Sequence, residues 1–515
     1  MRETGVRRPR FAAILTALSI VFVAELAQGQ VPPLSPLPPG QVEIPGPPID
    51  QVPESPPVGG QPQQTGPPAP SAAPDWSVPP LFREFVPDYF LTVPPIGTVE
   101  PLRPNRFAPP TQEGSPPDLL IRTFVTVSEA YNDNVQQTKD NRTGIFQTNI
   151  APGIGLNYNR PQASLNFLYN PSFYFPSDTQ VDSNAINQYL SLRGAWNPSA
   201  RFQFNIAEDF TQSNQSQDLQ NPGSAQTGTG TYKTNTVAAT AAYVAPQFRT
   251  ALTYTNQFTI NDEQRLDNNM TNAGNLSAEI TDQRTTYTGA YTITRGDFSN
   301  APNASYWEQL GTGRVAHNLS PVINLTGLGT FQWHQQDEGE AFNYILGQAR
   351  VGATFTLAGN QSLFNIQGGA VGYNPAQGDS KIRPSFLIGW TQQLAYNSSV
   401  TASFESTYLS DFAGVAPTGL SYVRSASLIL TTRYFRDLTA TLGGGWYWQD
   451  FAQTTPEGGP AGTTQETWSV QARLEYLFSR FLSMAIFYNL TDRTSGGPYL
   501  QNIVGISATA SYDFR

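Results

Sequence analysis

The sequence predicts an all-β fold, a single transmembrane antiparallel up-and-down β-barrel over residues 118–515 with about 20 strands, or about 18 as the alternative. Three observations predict this fold. Apolar and polar residues alternate with a period of two in one segment after another. The connections between these segments alternate between short and long. After residue 118, no segment has the 3.6-residue period of an amphipathic helix.

The N-terminus has the features of a secretory signal. Four arginines lie within the first ten residues, an apolar run follows over residues 11–24, and the small residues Ala27 and Gly29 come next. We therefore expect residues 1–29 to be cleaved, so that the mature chain begins near Gln30. The alternative is a retained anchor, but an apolar run of about 14 residues is short for a membrane-spanning helix.

Residues 30–117 differ from the rest of the chain in composition. They contain 27 of its 43 prolines, in runs such as PPLSPLPPG and SPPVGGQPQQTGPPAP. Proline lacks a backbone donor and fixes its own φ angle, so a segment this rich in proline forms no packed core. We expect it to be a disordered, extended segment on the periplasmic side.

The stretch ASLNFLYNPSFYF, residues 163–175, shows the alternation that recurs in the rest of the chain. Its apolar set is Ala163, Leu165, Phe167, Tyr169, Phe173 and Phe175. Side chains on a strand point alternately to opposite faces, so this set lies on one face, which we expect to contact lipid. Glu208 and Asn256 fall on the same face of later strands and are exceptions. Either they lie at a membrane interface or a bulge shifts the register.

The connections support a barrel in the outer membrane of a bacterium. Tight turns such as Asn159-Arg160-Pro161 and Ser320-Pro321 alternate with long polar loops such as residues 212–232 and 451–465. Outer-membrane barrels have short periplasmic turns and longer outer loops. If residues 272–281 and 285–295 are two strands around Asp282-Gln283, every tight turn lies at one end and the count is about 20.

Two segments at the start of this region carry a family motif. They read VSEAYNDNVQQT (127–138) and TNIAPGIGLNYNRPQASLNFLYN (148–170), and the motif positions are Tyr131, Asp133, Asn134, Pro152, Gly153 and Ile154. Here the chain resembles the β-barrel porin 2 family and the outer-membrane barrels of exosortase and exopolysaccharide systems. The resemblance implies an outer-membrane barrel associated with polysaccharide export, without assigned catalytic residues.

The last strand resembles the terminal strand that the barrel assembly machinery recognises. Its alternating apolar residues include Val504, Ile506, Tyr512 and Phe514. Arg515 departs from the pattern, because such strands usually end on the aromatic residue itself.

Alternation also predicts which charged side chains line the interior. They are Arg193, Arg249, Arg350, Glu405, Arg473 and Glu475. The other inward positions are mainly Asn, Gln, Ser, Thr and Gly, which suits uncharged polar solutes rather than ions of one sign. We therefore expect a channel for passive diffusion or export of such solutes, (exo)polysaccharide in particular. The alternative is a non-conducting barrel that anchors the Pro-rich segment to the cell wall or an envelope complex.

Composition limits the chemistry of the chain. It has no cysteine and two histidines, a net charge of −10 and only 13% charged residues, so a nucleic-acid partner is not expected. We predict no catalytic residue, metal site or cofactor. The expected partners are outer-membrane lipid, the barrel assembly machinery and polysaccharide or cell-wall components. His317 and His334 fall near opposite rims and cannot share a site. His334 with Asp337, Glu338 and Glu340 leaves an outer-surface hydrolase as a minor alternative.

Overall fold

The computed structural model describes residues 119–515 with gaps. The gaps are residues 137, 180–184, 214–230, 262–267, 300–304, 338–342, 358–361, 378, 396–397, 411–419, 436, 452–463, 496–497 and 515. The predicted signal (1–29) and Pro-rich segment (30–117) lie outside the described residues. Glu338 and Glu340 also lie outside them.

The described residues form twenty β-strands, and the predicted count is confirmed. They are β1 (Leu119–Asn132), β2 (Ile145–Arg160), β3 (Ala163–Pro176), β4 (Ala185–Trp196), β5 (Phe202–Ser213), β6 (Tyr232–Val244), β7 (Phe248–Asn261), β8 (Asn269–Asp282), β9 (Thr285–Phe298), β10 (Tyr306–Ser320), β11 (Ile323–Gln336), β12 (Tyr344–Leu357), β13 (Ser362–Pro375), β14 (Lys381–Ala395), β15 (Ser398–Ser410), β16 (Leu420–Phe435), β17 (Leu438–Phe451), β18 (Thr464–Ser479), β19 (Leu482–Ser495) and β20 (Tyr499–Phe514). Residues 272–281 and 285–295 lie in β8 and β9, as predicted.

The strands close into one antiparallel barrel. Each strand pairs with the next one in the sequence, and β20 pairs with β1 over twelve residue pairs from Ile121–Phe514 to Asn132–Ile503. This pairing leaves no free sheet edge, which is the condition for placing strands in lipid. In the described residues, no helix is long and apolar enough to cross a membrane.

The two ends of the barrel differ in the length of their connections. The nine connections at the end that carries the first residue of β1 have two to five residues, whereas those at the other end have up to eighteen. Short turns at one end and long loops at the other match the expected periplasmic and outer ends. We therefore call the two ends periplasmic and outer.

The outer face of the sheet is apolar along most of its strands. In β3, Leu165, Phe173 and Phe175 point outward, as the alternation predicts, and each is more than a third exposed. Val351 on β12 is the most exposed of the outward valines, at 73%. A continuous apolar surface of this size is unfavourable in water. We therefore assign the outer face to contact with lipid. The chain is an outer-membrane β-barrel.

The motif residues that directly follow β1 close the barrel at its outer end. The backbone N–H and side-chain amide of Asn502 on β20 both donate to the Asp133 carboxylate at 2.6 Å. The amide of Asn134, which is fully buried, donates to the Leu500 carbonyl at 2.9 Å. At the periplasmic end, the Arg122 guanidinium pairs with Asp513 at 2.5 Å. The Tyr-Asn-Asp-Asn motif thus fixes the first strand to the last.

Gly153, a motif position on β2, is required by a close contact across the sheet. It pairs with Phe124 on β1, whose ring lies directly over the Gly153 backbone where a Cβ atom would stand. A glycine leaves space for an aromatic ring on the neighbouring strand, and the ring covers the exposed backbone. The motif is therefore explained by packing at the start of the barrel.

Candidate functional site: the inner face of the barrel

The inner face is defined by contacts between strands that are not neighbours. Twenty strands spaced about 4.8 Å apart and tilted about 40° give a barrel about 40 Å across between backbones. Side chains of opposite walls cannot meet over that distance. Side chains of strands that are two or three positions apart in the sheet can meet only on its concave inner side. Such contacts therefore identify residues that line the interior.

A buried ion pair is the clearest of these contacts. The guanidinium of Arg350 on β12 lies 3.3 Å from the carboxylate of Glu405 on β15, although β13 and β14 separate the two strands. Both side chains are less than a tenth exposed. The Arg350 Nε also donates to Ser385 on β14 at 2.7 Å. The site predictions for Arg350 and Glu405 therefore fall on one cluster.

Gln348 completes this cluster. Its amide lies between Arg350, Ser385 and Thr407, and the surrounding donors assign its oxygen to the arginine side. In that orientation the oxygen accepts from the Arg350 guanidinium at 2.7 and 2.8 Å. Gln348, Ser385 and Thr407 were not predicted as site residues. Alternation predicts that each points inward, but it does not predict that residues of three different strands meet.

The other predicted lining charges also lie on the inner face, beside opposite charges. Arg193 on β4 pairs with Asp209 on β5 at 2.5 Å, and Arg473 pairs with Glu475 two residues along β18 at 3.4 Å. Arg249 on β7 stands opposite Glu279 on β8 in the register. Asp209 and Glu279 were not predicted, although the same alternation places them inward. Pairing removes the long-range field that a ring of one sign would create.

Uncharged side chains also line the inner face. Cross-strand hydrogen bonds join Thr126 to Thr509 at 2.9 Å, Thr240 to Thr253 at 3.0 Å, Asn275 to Thr292 at 2.8 Å and Ser403 to Ser427 at 2.7 Å. Each hydroxyl or amide retains capacity for a further hydrogen bond, to water or to a solute hydroxyl. The inner face therefore offers mixed neutral donors and acceptors beside its charge pairs.

Near the outer end, His334 takes part in a row of packed rings, of which His334 and Tyr344 are stacked. It lies between Tyr306 and Tyr344, with ring centroids at 4.7 and 4.8 Å, and Tyr373 follows Tyr344 at 5.9 Å. His334 is fully buried within β11, and its Nδ1 lies 3.5 Å from the Glu308 carboxylate. His334 is therefore a buried strand residue whose ring packs between two tyrosines. This row was not predicted from the sequence, because its rings come from different strands.

Asp337 is the described acidic residue of the minor hydrolase hypothesis, and it bonds to an arginine of another strand. The Asp337 carboxylate accepts from Arg295 on β9 at 2.5 and 2.6 Å, and this hydrogen bonding lowers the pKa of Asp337. The His317 ring bonds to Thr285 at 2.9 Å, on the opposite face of the sheet from His334. The two histidines do not approach each other, as predicted. Absence of an enzymatic activity stays a prediction.

The terminal strand shows the predicted alternation. Val504, Ile506, Tyr512 and Phe514 all point outward from β20 and are about half exposed. Phe481 and Tyr512 stack at 5.7 Å near the periplasmic end, where an aromatic girdle is expected. Recognition of this strand by the assembly machinery stays a prediction.

Comparison with known proteins gives structural matches alone. No protein-family profile matches the chain, and no curated protein matches it. Solved structures do match. The siderophore receptor PirA from Pseudomonas aeruginosa is 12% identical over 76% of this chain and 80% of its own, with a TM-score of 0.44.

Two further solved structures match over nearly their whole length. The outer membrane protein opdK from Pseudomonas aeruginosa is 10% identical over 77% of this chain and 99% of its own, with a TM-score of 0.36. OccAB3 from Acinetobacter baumannii is 7% identical over 77% and 100%, with a TM-score of 0.39. The resemblance to the β-barrel porin 2 family stays a prediction.

Proposed function

We propose that this barrel is an outer-membrane channel through which uncharged polar solutes, sugars in particular, diffuse or are exported. The observation that carries the proposal is the inner face. The charged residues predicted to line it lie beside residues of opposite charge. The face also carries hydroxyl and amide groups, which can form the hydrogen bonds that a sugar otherwise forms with water.

The dimensions favour a conducting barrel. A backbone diameter of about 40 Å leaves an opening of roughly 20 Å after side chains of both walls are subtracted. Barrels of about 16–18 strands already enclose aqueous channels. A long neutral chain passing along such a wall exchanges one hydrogen-bond partner for the next at little cost in free energy.

Export of (exo)polysaccharide is the specific form of this proposal. It rests on the resemblance in β1 and β2 and on a lining suited to neutral sugars. The gene neighbourhood tests the assignment: genes for polysaccharide polymerisation beside this one would support export, and their absence would favour general diffusion.

The first prediction concerns conductance. The purified barrel in planar bilayers should open channels, and a tenfold KCl gradient should give a zero-current potential well below the roughly 59 mV of an ideally selective pore. Proteoliposomes should swell in uncharged oligosaccharides. A correctly folded barrel that shows no conductance, in proteoliposomes that do not swell, would contradict the channel function. It would support the structural alternative, an anchor for the Pro-rich segment.

A further inference from the structure

The pairing of β14 with β15 stops before the outer ends of the two strands. Among the described residues, the outermost pair of this ladder is Phe386–Ser406. Residues 381–385 pair only with β13, and residues 407–410 pair only with β16. Pro384 lies in the unpaired part, and a proline has no N–H to donate to a neighbouring strand. The sheet is therefore parted here, and we call residues 381–385 and 407–410 the β14–β15 seam.

Side chains cover the seam in place of backbone hydrogen bonds. The Pro384 carbonyl accepts from the Ser406 hydroxyl at 3.3 Å and from the Tyr422 hydroxyl of β16 at 2.7 Å. The Ser385 hydroxyl donates to the Ser406 carbonyl at 3.1 Å. Backbone groups at membrane depth need such partners, because hydrocarbon offers none. The two edges at the seam are thus covered without a ladder between them.

Two ion pairs cross the boundary between β14 and β15. Arg350 on β12 pairs with Glu405 on β15 at 3.3 Å, and Arg383 on β14 pairs with Asp450 on β17 at 2.6 Å. In both pairs the arginine lies on one side of the boundary and the carboxylate on the other. Side-chain contacts can separate and re-form while the ladders β13–β14 and β15–β16 stay intact. The two sides of the seam can therefore move apart without unfolding either strand.

The outer end of β15 turns into the barrel at the seam. Phe386 points outward and is 40% exposed. Ser406 lies opposite it, so alternation places Tyr408 on the outward side as well. Tyr408 is nevertheless buried, and its ring centroid lies 5.5 Å from that of Tyr373 on the inner face of β13. A ring on the outward side reaches an inner-face ring only if the outer end of β15 lies across the inner face of β14.

The seam interrupts the sheet but not the row of rings. The rings are those of His334, Tyr344, Tyr373, Tyr408, Tyr422 and Trp448, with neighbouring centroids 4.8 to 6.4 Å apart. The first three come from the inner face of β11 to β13, and the last three from the outward side of β15 to β17. An aromatic path therefore leads from the interior to the side of the sheet that faces lipid, beside the polar contacts of the seam.

We propose that the β14–β15 seam is a lateral gate, through which an amphiphilic molecule passes between the interior of the barrel and the outer leaflet. The row of rings contacts the apolar chain of this molecule, and the hydroxyl and charged groups at the seam bind its polar head. Opening separates side-chain contacts and leaves the ladders on both sides closed. The gate is independent of whether the barrel conducts uncharged solutes.

The gate can be locked, because the chain has no cysteine. The Ser385 and Thr407 hydroxyls lie on opposite sides of the seam, 2.6 and 3.1 Å from the Gln348 amide. Ser385→Cys with Thr407→Cys therefore places two thiols within reach of a short bis-methanethiosulfonate, which bridges thiols reversibly. Thr391→Cys with Thr401→Cys is the matched control, because these residues lie opposite each other in the paired part of the same two strands.

Photo-cross-linking to lipid measures passage through the gate. Benzoylphenylalanine replaces Tyr373, and the barrel is reconstituted in phosphatidylcholine vesicles that contain a fluorescent phosphatidylethanolamine. Irradiation should attach fluorescent lipid to the protein. Bridging the seam should lower the yield on the order of tenfold, and a reductant should restore it. Bridging the control pair should leave the yield unchanged.

A probe at Val351 on the outward side of β12 is the positive control and should cross-link to lipid in every state. Heat-modifiable gel mobility reports folding, and Tyr344 takes the probe if the variant at Tyr373 does not fold. Three results would each overturn the proposal in a folded barrel whose Val351 probe reacts. They are no lipid on the inner-face probe, a yield that the seam bridge does not change, and an equal decrease from both bridges.

Discussion

Replacing Glu405 by leucine should lower the free energy of unfolding by roughly 3–5 kcal/mol. The substitution leaves the Arg350 guanidinium in a site where it is nearly inaccessible to water and has lost its carboxylate. Ser385 and Gln348 still contact the guanidinium, but neutral groups do not compensate its charge. Urea titration of the barrel in lipid vesicles, followed by tryptophan fluorescence, measures the loss.

Two variants control this prediction. In Arg350→Met with Glu405→Leu, both charges are removed, and most of the lost stability should return because apolar replacements of a buried pair are often neutral. Arg473→Leu breaks a pair whose members are 46% and 39% exposed, so its effect should stay within about 1 kcal/mol. A double variant as unstable as Glu405→Leu alone would show that the pair does not act through its charges.

A charge on the outer face should destabilise the barrel according to its depth. Val351 is the eighth of the fourteen residues of β12 and is 73% exposed. Val351→Arg should therefore cost about 2–4 kcal/mol, the value for a basic residue at the bilayer midplane. Leu474 lies five residues from the periplasmic end of β18, so Leu474→Arg should cost less, about 1–2 kcal/mol.

The matched control lies beside Leu474 on the opposite face. Arg473→Leu changes charge by the same amount but faces the interior, so stability should change little while conductance or ion preference changes. The same urea titrations in vesicles compare the three variants. A loss from Arg473→Leu that equals or exceeds the loss from Leu474→Arg would mean that the inside and outside of β18 are interchanged.

The strands were predictable because the sequence features that define them are local. A period of two and short turn sequences define each strand and its faces, so the twenty strands, the boundary between β8 and β9 and the two ends of the barrel follow from the sequence. The outward positions of Glu208 and Asn256 also follow, once the pairings show that no bulge intervenes.

The partners of the inward side chains were not predictable in the same way. Alternation gives the direction of Arg350 and Glu405 but not their distance, because 55 residues and two strands separate them. The burial of His334 depends likewise on Tyr306 and Tyr344 of the adjacent strands. Which inward groups converge is decided by the curvature and tilt of the closed sheet, and a single sequence does not encode these as a local pattern.

Cysteine labelling along β18 tests most directly whether this barrel encloses water and faces lipid as described. Single cysteines replace six consecutive residues, Ser469, Val470, Gln471, Ala472, Arg473 and Leu474, in a chain that has no other thiol. A charged, membrane-impermeant maleimide added to purified outer membranes should label positions 469, 471 and 473 and spare positions 470, 472 and 474. Uniform labelling, no labelling, or labelling of the even positions instead would contradict a water-filled channel with this inner face.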